Sequence, residues 1–334
     1  MSEQPMVQVV IPTFERPRQL LATLRGLEAQ TFGDFAVTVV DDGSREPVEG
    51  HIPQDVAPGR GLKFIRTEGN RGPAAGRNLG AAEGHSAFLV FIDDDVVPGA
   101  DWLERLIAHA TDCGPQTVVF GPLLAPADWK PTAWNRWEAE TLAAQYRRME
   151  RGEYKPTWRQ FFTGNALLRR CDFDAAGGFN ESFPRAEDVE LAYRLWRRGC
   201  GFVLAMEAVG WHYAERTKAS WMSIPRHYAR ADLEMSRLYP EINFLGVIRR
   251  ENGRRPALLR GLRRIPGRAA RQGIIRASVE LARSAHAAGG TRLSSRLLSV
   301  AYDLAYHEEL GRRMPEGAPP SGGQSINSDS TARG

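Results

Sequence analysis

Short runs rich in β-branched residues alternate with helix-spaced apolar residues through the first part of the chain. That alternation is the mark of a parallel sheet joined by crossover helices. Residues 7–11, 35–40, 62–66 and 88–92 read as strands. Pro17 opens a helix whose Leu20, Leu21, Leu24 and Leu27 recur at helical spacing. Residues 72–82, rich in small side chains, and the amphipathic stretch 102–110 supply further helices, and 117–124 reads as another strand. Residues 129–155 carry tryptophan and charge and read as a helix with loops over a cleft. Strand character resumes at 161–168 and 202–209, with a helix at 189–198 between them. From Trp221 the pattern turns helical, and the body is expected to end near Pro240. The fold class expected is α/β, a mainly parallel sheet flanked by helices with a helical C-terminal extension. Residues 1–240 form the main domain, 241–313 a basic and helical extension with two helices around Gly289-Gly290, and 314–334 a disordered tail of small and polar residues.

Composition narrows the class. With 334 residues, 42% hydrophobic and 25% charged, the chain is long enough for a sizeable core and too ordinary for wholesale disorder. No apolar run approaches the roughly 18 residues that span a bilayer. The first residues carry neither a basic nor an apolar leader segment, so a cytoplasmic location is expected. Cys113, Cys171 and Cys200 have no metal-like or disulfide-like spacing and are expected to be ordinary buried thiols. The net charge of +4 hides an uneven distribution: residues 249–276 hold ten arginines against Glu251 alone, so the remainder carries −5. That segment suits a local anionic partner rather than nucleic acid along the whole protein. Its interleaved Leu258, Leu259, Leu262 and Ile265 leave peripheral contact with the inner face of a membrane open, beside a simply solvated segment. The C-terminal helices leave a homodimer open as well.

Candidate chemistry lies at strand ends. Asp93, Asp94 and Asp95 follow the run 88–92, and carboxylates so close are costly unless a cation offsets them. Alternation along an extended segment would turn Asp93 and Asp95 to one side, where they share a ligand set. Asp41 and Asp42 end the preceding strand run but one, and could accept from a base N–H or ribose hydroxyls; ligands of open α/β sheets bind beyond such ends. Asn70 to Asn78 lets a helix begin close to a ligand, with Arg77 in reach of a phosphate. Neither a Gly-x-x-x-x-Gly-Lys-Ser loop nor a Gly-x-Gly-x-x-Gly fingerprint is present.

Taken together these segments resemble family 2 glycosyltransferases of GT-A fold. The likeness rests on Val10 to Arg16, Val39 to Ser44, Asn70 to Asn78, Asp93-x-Asp95, Thr163 to Asn165, Gly177 to Glu181, Glu187 to Leu191 and His212. It implies an inverting transferase that moves one sugar from a nucleoside diphosphate sugar, UDP or dTDP ahead of GDP, to a hydroxyl of a small molecule or lipid-linked glycan. Pro12, Thr13, Glu15, Asp41, Arg77, Asp93 and Asp94 would bind the donor, and Asp95 and His212 would hold Mn2+ or Mg2+. Asp188 would be the general base, with Glu187, Trp129 and Trp134 toward the acceptor. The tryptophans could equally be core. The Gln-x-x-Arg-Trp motif of processive synthases is absent, which favours single transfer. A nucleotidyltransferase, or a non-catalytic sugar-nucleotide-binding relative, stands as the alternative.

Overall fold

In chain order the strands are β1 (Val7–Thr13), β2 (Phe35–Asp41), β3 (Leu62–Arg66), β4 (Phe88–Ile92), β5 (Val96–Pro98), β6 (Thr117–Phe120), β7 (Leu123–Leu124), β8 (Asn165–Arg169), β9 (Gly201–Leu204) and β10 (Gly210–His212). The computed structural model that defines them describes residues 4–243, 246 and 257–313. The seven-stranded sheet has the order β3-β2-β1-β4-β8-β6-β9, and only β8 runs against its neighbours. Strands β5, β10 and β7 make a small second sheet. The described residues form two units. One holds residues up to Trp129 with Thr141–Tyr213; the other holds Lys130–Glu140 with the described residues from Ala214 onward.

In the first unit, β1 and β4 are apolar almost throughout because both faces of the sheet are covered. On one side Leu20, Leu24 and Leu27 of α1 (Pro17–Glu28) and Trp102, Leu103 and Leu106 of α3 (Trp102–Asp112) bury against Val9, Ile11, Val37 and Val90. Helix α2 (Pro73–Ala82) packs against β1 and β2, and its glycines explain how closely. A Cβ on Gly80 would stand 2.4 Å from Val10 Cγ1 and 3.1 Å from Val40 Cγ2. Overpacking of that kind typically costs about 1–3 kcal/mol. Gly80→Ala is therefore expected to lower the urea midpoint by a corresponding amount; an unchanged midpoint would show that the helix can retreat freely.

Several sequence-based boundaries shift for physical reasons. The run 117–124 is two strands, because Gly121-Pro122 leaves the sheet: a Cβ on Gly121 would meet Ala208 O at 2.0 Å, and Pro122 has no N–H to continue the ladder. Strand 202–209 likewise ends at Leu204; a turn closed by Ala208 N–H donating to Ala205 O carries the chain to β10. The run 161–168 becomes extended sheet only from Asn165, and α5 (Arg170–Ala176) follows it. Asp93 to Asp95 do not continue β4 in extended form. Val96 N–H donates to Asp93 O at 3.2 Å, closing a turn, so the alternation expected there is replaced by one carboxylate, Asp93, on Arg77 and two, Asp94 and Asp95, on Arg16. Of the cysteines, Cys200 is buried, but Cys113 and Cys171 are exposed, correcting the expectation for those two.

The second unit is helical. Helix α4 (Ala133–Glu150) gives its first turns to this unit and the rest to the first. Its Ala133 and Trp134 are buried with Trp221 and Ile224 of α7 (Lys218–Leu238). Helix α8 (Ala257–Arg263), α9 (Arg268–Ala287) and α10 (Thr291–Arg313) follow, the last two turning at Gly289 with φ +80°. Ile275, Val279, Leu298, Ala301 and Leu304 complete the core, so the helix pair expected around Gly289-Gly290 is present. The division falls after Tyr213, not near Pro240, because Trp221 buries with this later core. Residues 249–256 of the basic segment and the tail 314–334 lie outside the described residues. Among the described residues no helix is long and apolar enough to cross a membrane.

Candidate functional site

The carboxyl ends of β1, β2 and β4 meet because parallel register sets Thr13 opposite Asp41 and carries β4 alongside β1. Thr13 Oγ1 donates to Asp94 Oδ2 at 2.7 Å, tying the first strand end to the acidic turn. Asp41 is buried; its Oδ1 accepts from Ser44 N–H at 2.9 Å and its Oδ2 from Val48 N–H at 3.2 Å. Those bonds make it a fixed acceptor at the floor of the strand ends. Asp42 does the same for the next loop, accepting from Arg71 N–H at 2.9 Å and Gly72 N–H at 2.7 Å just before α2. Pro12 lies within β1 opposite Val40. Glu15 takes a left-handed conformation, φ 57°, with its N–H donating to Ser44 Oγ and its carboxylate accepting from Arg45 N–H, both at 2.8 Å. The loops after β1 and β2 thus brace one another.

The three aspartates of the turn divide their work. Asp93 Oδ1 accepts from Arg77 at 2.7 Å, whereas Asp94 and Asp95 share Arg16, at 3.1 and 2.9 Å. Burial, then the neighbouring Asp95, pushes the Asp94 carboxyl up to about 7, against the opposing pull of Arg16. His212 Nε2 of β10 stands 3.4 Å from Asp95 Oδ1. β10 is placed there by pairing antiparallel with β5, His212 opposite Val96. Arg16 stands within the Val10 to Arg16 segment with no role predicted from the sequence. An arginine just after a strand carries no signal of its own; the turn that brings Asp94 and Asp95 to it is a tertiary feature.

Asp95 and His212 test the fit of a divalent cation. Among the described residues no three or more His, Cys, Asp or Glu side chains converge as a protein-only cage. A carboxylate and an imidazole within 3.4 Å suit the other arrangement, in which Mn2+ or Mg2+ takes one or two protein ligands and draws the rest from phosphate oxygens and water. The donor set fits on that basis.

Arg77 joins the turn to the acidic start of α6 (Glu187–Arg197). Its side chain is 5% exposed, with one terminal nitrogen on Asp93 and the other on Glu187 Oε1 at 2.8 Å. Its guanidinium stands 5.6 Å from the centroid of the Phe179 ring. Asp188 follows, half-buried, its Oδ1 accepting from Val189 N–H at 2.8 Å. Burial first, then repulsion from Glu187, raise the Asp188 carboxyl to about 7, while the Val189 N–H and Arg77 pull the other way. The helix start is preceded by Ala186 in left-handed conformation, φ 64°, a strained state for a residue with a Cβ.

Two structural supports stand within the motif segments without any sequence signal of that role. Asn78 clamps the loop before α6: its Oδ1 accepts from Phe179 N–H at 2.8 Å and its Nδ2 donates to Phe179 O at 2.9 Å. Asn165 accepts from Trp102 Nε1 at 2.7 Å and donates to Ala208 O at 2.9 Å and Pro122 O at 3.2 Å. Beside it, Gly164 leaves room for Asp93, whose Oδ2 would be 2.7 Å from a Cβ at that position.

The aromatic candidates separate. Trp129 is half-buried in the first unit. Trp134 belongs to the core of the second unit, with its Nε1 donating to Arg216 O at 2.7 Å. Trp137 packs there too, 5.4 Å from Trp221, and Trp158 stands 5.1 Å from Tyr193 in the first unit. Glu187, expected toward an acceptor, has its Oε1 on Arg77.

Comparison with known proteins bears on the family and the fold. A curated relative is the pre-mycofactocin glycosyltransferase of Mycobacterium tuberculosis, 28% identical over 239 residues, which are 70% of this chain and 48% of the relative. Another is the validoxylamine A glucosyltransferase of Streptomyces hygroscopicus, 30% identical over 63% of this chain and 56% of the relative. The chain thus spans about half the length of these relatives. Among solved structures, the mannosyltransferase PcManGT of Pyrobaculum calidifontis, in complex with GDP-Man and Mn2+, aligns with TM-score 0.59 and 16% identity, covering 92% of this chain and 88% of that one. S. aureus TarS 1-349 with UDP aligns with TM-score 0.50 and 14% identity, covering 92% of both chains. These likenesses give the GT-A fold. The model described as Glycosyl transferase family 2 matches residues 8–176, just over half of the chain, and the chain belongs to that family.

Proposed function

We propose that the protein transfers one sugar from a nucleoside diphosphate sugar to an acceptor hydroxyl with inversion, Asp188 acting as the base. The observation that carries this reading is the continuous run of contacts from Asp41 through Thr13, Asp94 and Asp95 to His212, joined by the adjacent Asp93 and Arg77 to Glu187 and Asp188. Those contacts link Asp41, a buried acceptor suited to a base N–H, and the acids suited to a cation with Asp188, whose carboxyl is raised to about 7. Asp41 suits the N3–H of uracil or thymine, which favours a UDP- or dTDP-linked donor over a GDP-linked one. Thr13, Pro12 and Glu15 shape the wall beside it, Asp94 anchors Thr13, and Asp93 is the ribose ligand that Arg77 orients.

Asp95 and His212 are the residues that would hold Mn2+ or Mg2+, whose positive charge offsets what grows on a diphosphate leaving group. Asp188 takes the proton from the acceptor hydroxyl as that oxygen attacks the anomeric carbon from the side opposite the diphosphate. A carboxyl near 7 is matched to that task, since it is ionised in useful fraction at neutral pH yet basic enough to accept a proton. Trp129 and Glu187 lie toward the acceptor side in this reading, Glu187 acting through Arg77. Trp134 serves the core of its own unit.

The test is thermal denaturation with UDP-, dTDP- and GDP-linked sugars, each with and without Mn2+. The expected result is a rise in Tm of several degrees that needs both a sugar nucleotide and the ion and is lost in Asp95→Ala. Turnover should release a nucleoside diphosphate. Release of pyrophosphate would instead favour a nucleotidyltransferase, and donor binding without turnover a non-catalytic relative.

A further inference from the structure

The arginine-rich segment is not used by the proposed chemistry, and it helps build an open cavity of about 480 Å³ in the second unit. Arg263 of α8 and Arg268 and Arg271 of α9 line it, opposite Arg226 of α7 and Arg312 of α10. Five arginines from four helices line it together with His307 and two acids, Glu308 and Glu309. Both carboxylates are engaged. Burial would raise Glu309, but hydrogen bonds from Arg312, Arg230 and Arg313 outweigh it and bring the carboxyl down to about 2. Glu308 accepts from Gln272 Nε2 and lies 3.7 Å from Arg268. Arg263 is paired outside the cavity lining, with Asp303 at 2.8 Å.

Arg226 and Arg271 differ from the others. Arg226 donates to Met222 O at 3.1 Å and Gln272 Oε1 at 3.3 Å; Arg271 donates to Ile265 O at 2.8 Å. These are neutral acceptors. They hold the two planar forks in place without offsetting their charge, and among the described residues neither arginine has a carboxylate within ion-pair distance. Fixed guanidinium forks held by neutral acceptors, with no carboxylate partner among the described residues, in a cavity roomier than one phosphate needs, suit phosphate oxygens. We propose that this cavity binds a multiply charged phosphate group, a phosphomonoester or diphosphate, at a site separate from the strand-end site and independent of the proposed sugar transfer. That group can belong to a soluble molecule or to the head of an anionic lipid.

Two probes separate the sources: inorganic pyrophosphate by calorimetry, and sedimentation with vesicles containing phosphatidic acid, whose head is a phosphomonoester, against phosphatidylcholine vesicles. Both use the full chain with EDTA, which removes cation-dependent binding elsewhere, at about 0.15 M salt, where surface charge is largely screened. Arg226→Gln/Arg271→Gln is expected to weaken binding about tenfold or more. Arg260→Gln/Arg276→Gln, two exposed arginines of the same segment outside the cavity lining, should leave it unchanged. Should the double variant not fold, Arg271→Gln alone serves, since it gives up a single carbonyl contact. Pyrophosphate binding lost in the cavity variants identifies a soluble ligand. Vesicle binding lost in them, with pyrophosphate inert, identifies a lipid head. Equal loss in both pairs of variants, or no binding of either probe by the unmodified chain, overturns the proposal.

Discussion

Asp188→Asn is expected to lower kcat by about 100- to 10,000-fold, the range over which a positioned general base contributes, while the donor-dependent rise in Tm persists. The amide keeps the size of the carboxyl and its acceptor oxygen for Val189 N–H, so the first turn of α6 should survive. The pH dependence gives a second reading of the same group. With its carboxyl raised to about 7 by burial and by Glu187, Asp188 is protonated in the fold over a range where it is ionised in the unfolded chain. Activity should therefore climb with pH through about 7 and level off above it. Stability should move the other way: the native state binds this proton more tightly, so the contribution is full below about 4 and is lost as pH rises from there to about 7. Asp188→Asn should remove that part of the slope and be no less stable than the unmodified chain at pH 8. Substantial turnover in the folded variant, with its pH limb intact, would remove Asp188 from the role of base.

That prediction draws on a site whose parts were unequally legible in the chain. Strands β3 and β4 read correctly to the residue: β4 is an uninterrupted apolar run, and β3 is a short run with Phe64 and Ile65 beside Lys63 and Arg66, each bounded by polar or small residues. The acids at strand ends were legible for a related reason: a carboxylate directly after a buried strand has few explanations other than a turn or a ligand. What failed was local geometry set by distant partners. Asp93 to Asp95 look like the extension of a strand, yet the chain turns there. Asp93 meets Arg77 from α2, and Asp94 and Asp95 meet Arg16 just before α1. No spacing rule encodes those pairings. Trp134 shows the same limit. An aromatic on a charged helix reads equally as a stacking platform or as core, and only burial against Trp221 and Ile224 decides it. Arg77 was singled out as a phosphate ligand for its place at a helix start, where arginines are usually solvated. Its burial between two carboxylates depends on Glu187, 110 residues later.

Arg77 consequently carries the prediction with the largest effect on the fold. Removing one partner from a buried ionic cluster leaves the rest uncompensated, at a cost of about 3–5 kcal/mol, and Arg77→Met is expected to lose stability of that order in urea titration. Most of the penalty should arise at Glu187, which is nearly as buried as Arg77, and less at Asp93, which water reaches. Adding Glu187→Gln to Arg77→Met should then restore part of the loss, and adding Asp93→Asn should restore less. Arg77→Lys tests the geometry rather than the charge. An ammonium cannot reproduce the planar fork that reaches Asp93 and Glu187 at once, so it should remain clearly less stable than arginine. Because Arg77 also opposes the upward shift of Asp188, weakening it should push the activity limb to higher pH. A lysine variant with unchanged urea midpoint and unchanged limb would mean that Arg77 neither holds the two carboxylates nor tunes the base. Loss of stability with the limb unmoved would confine it to the fold and detach the turn after β4 from the chemistry at α6.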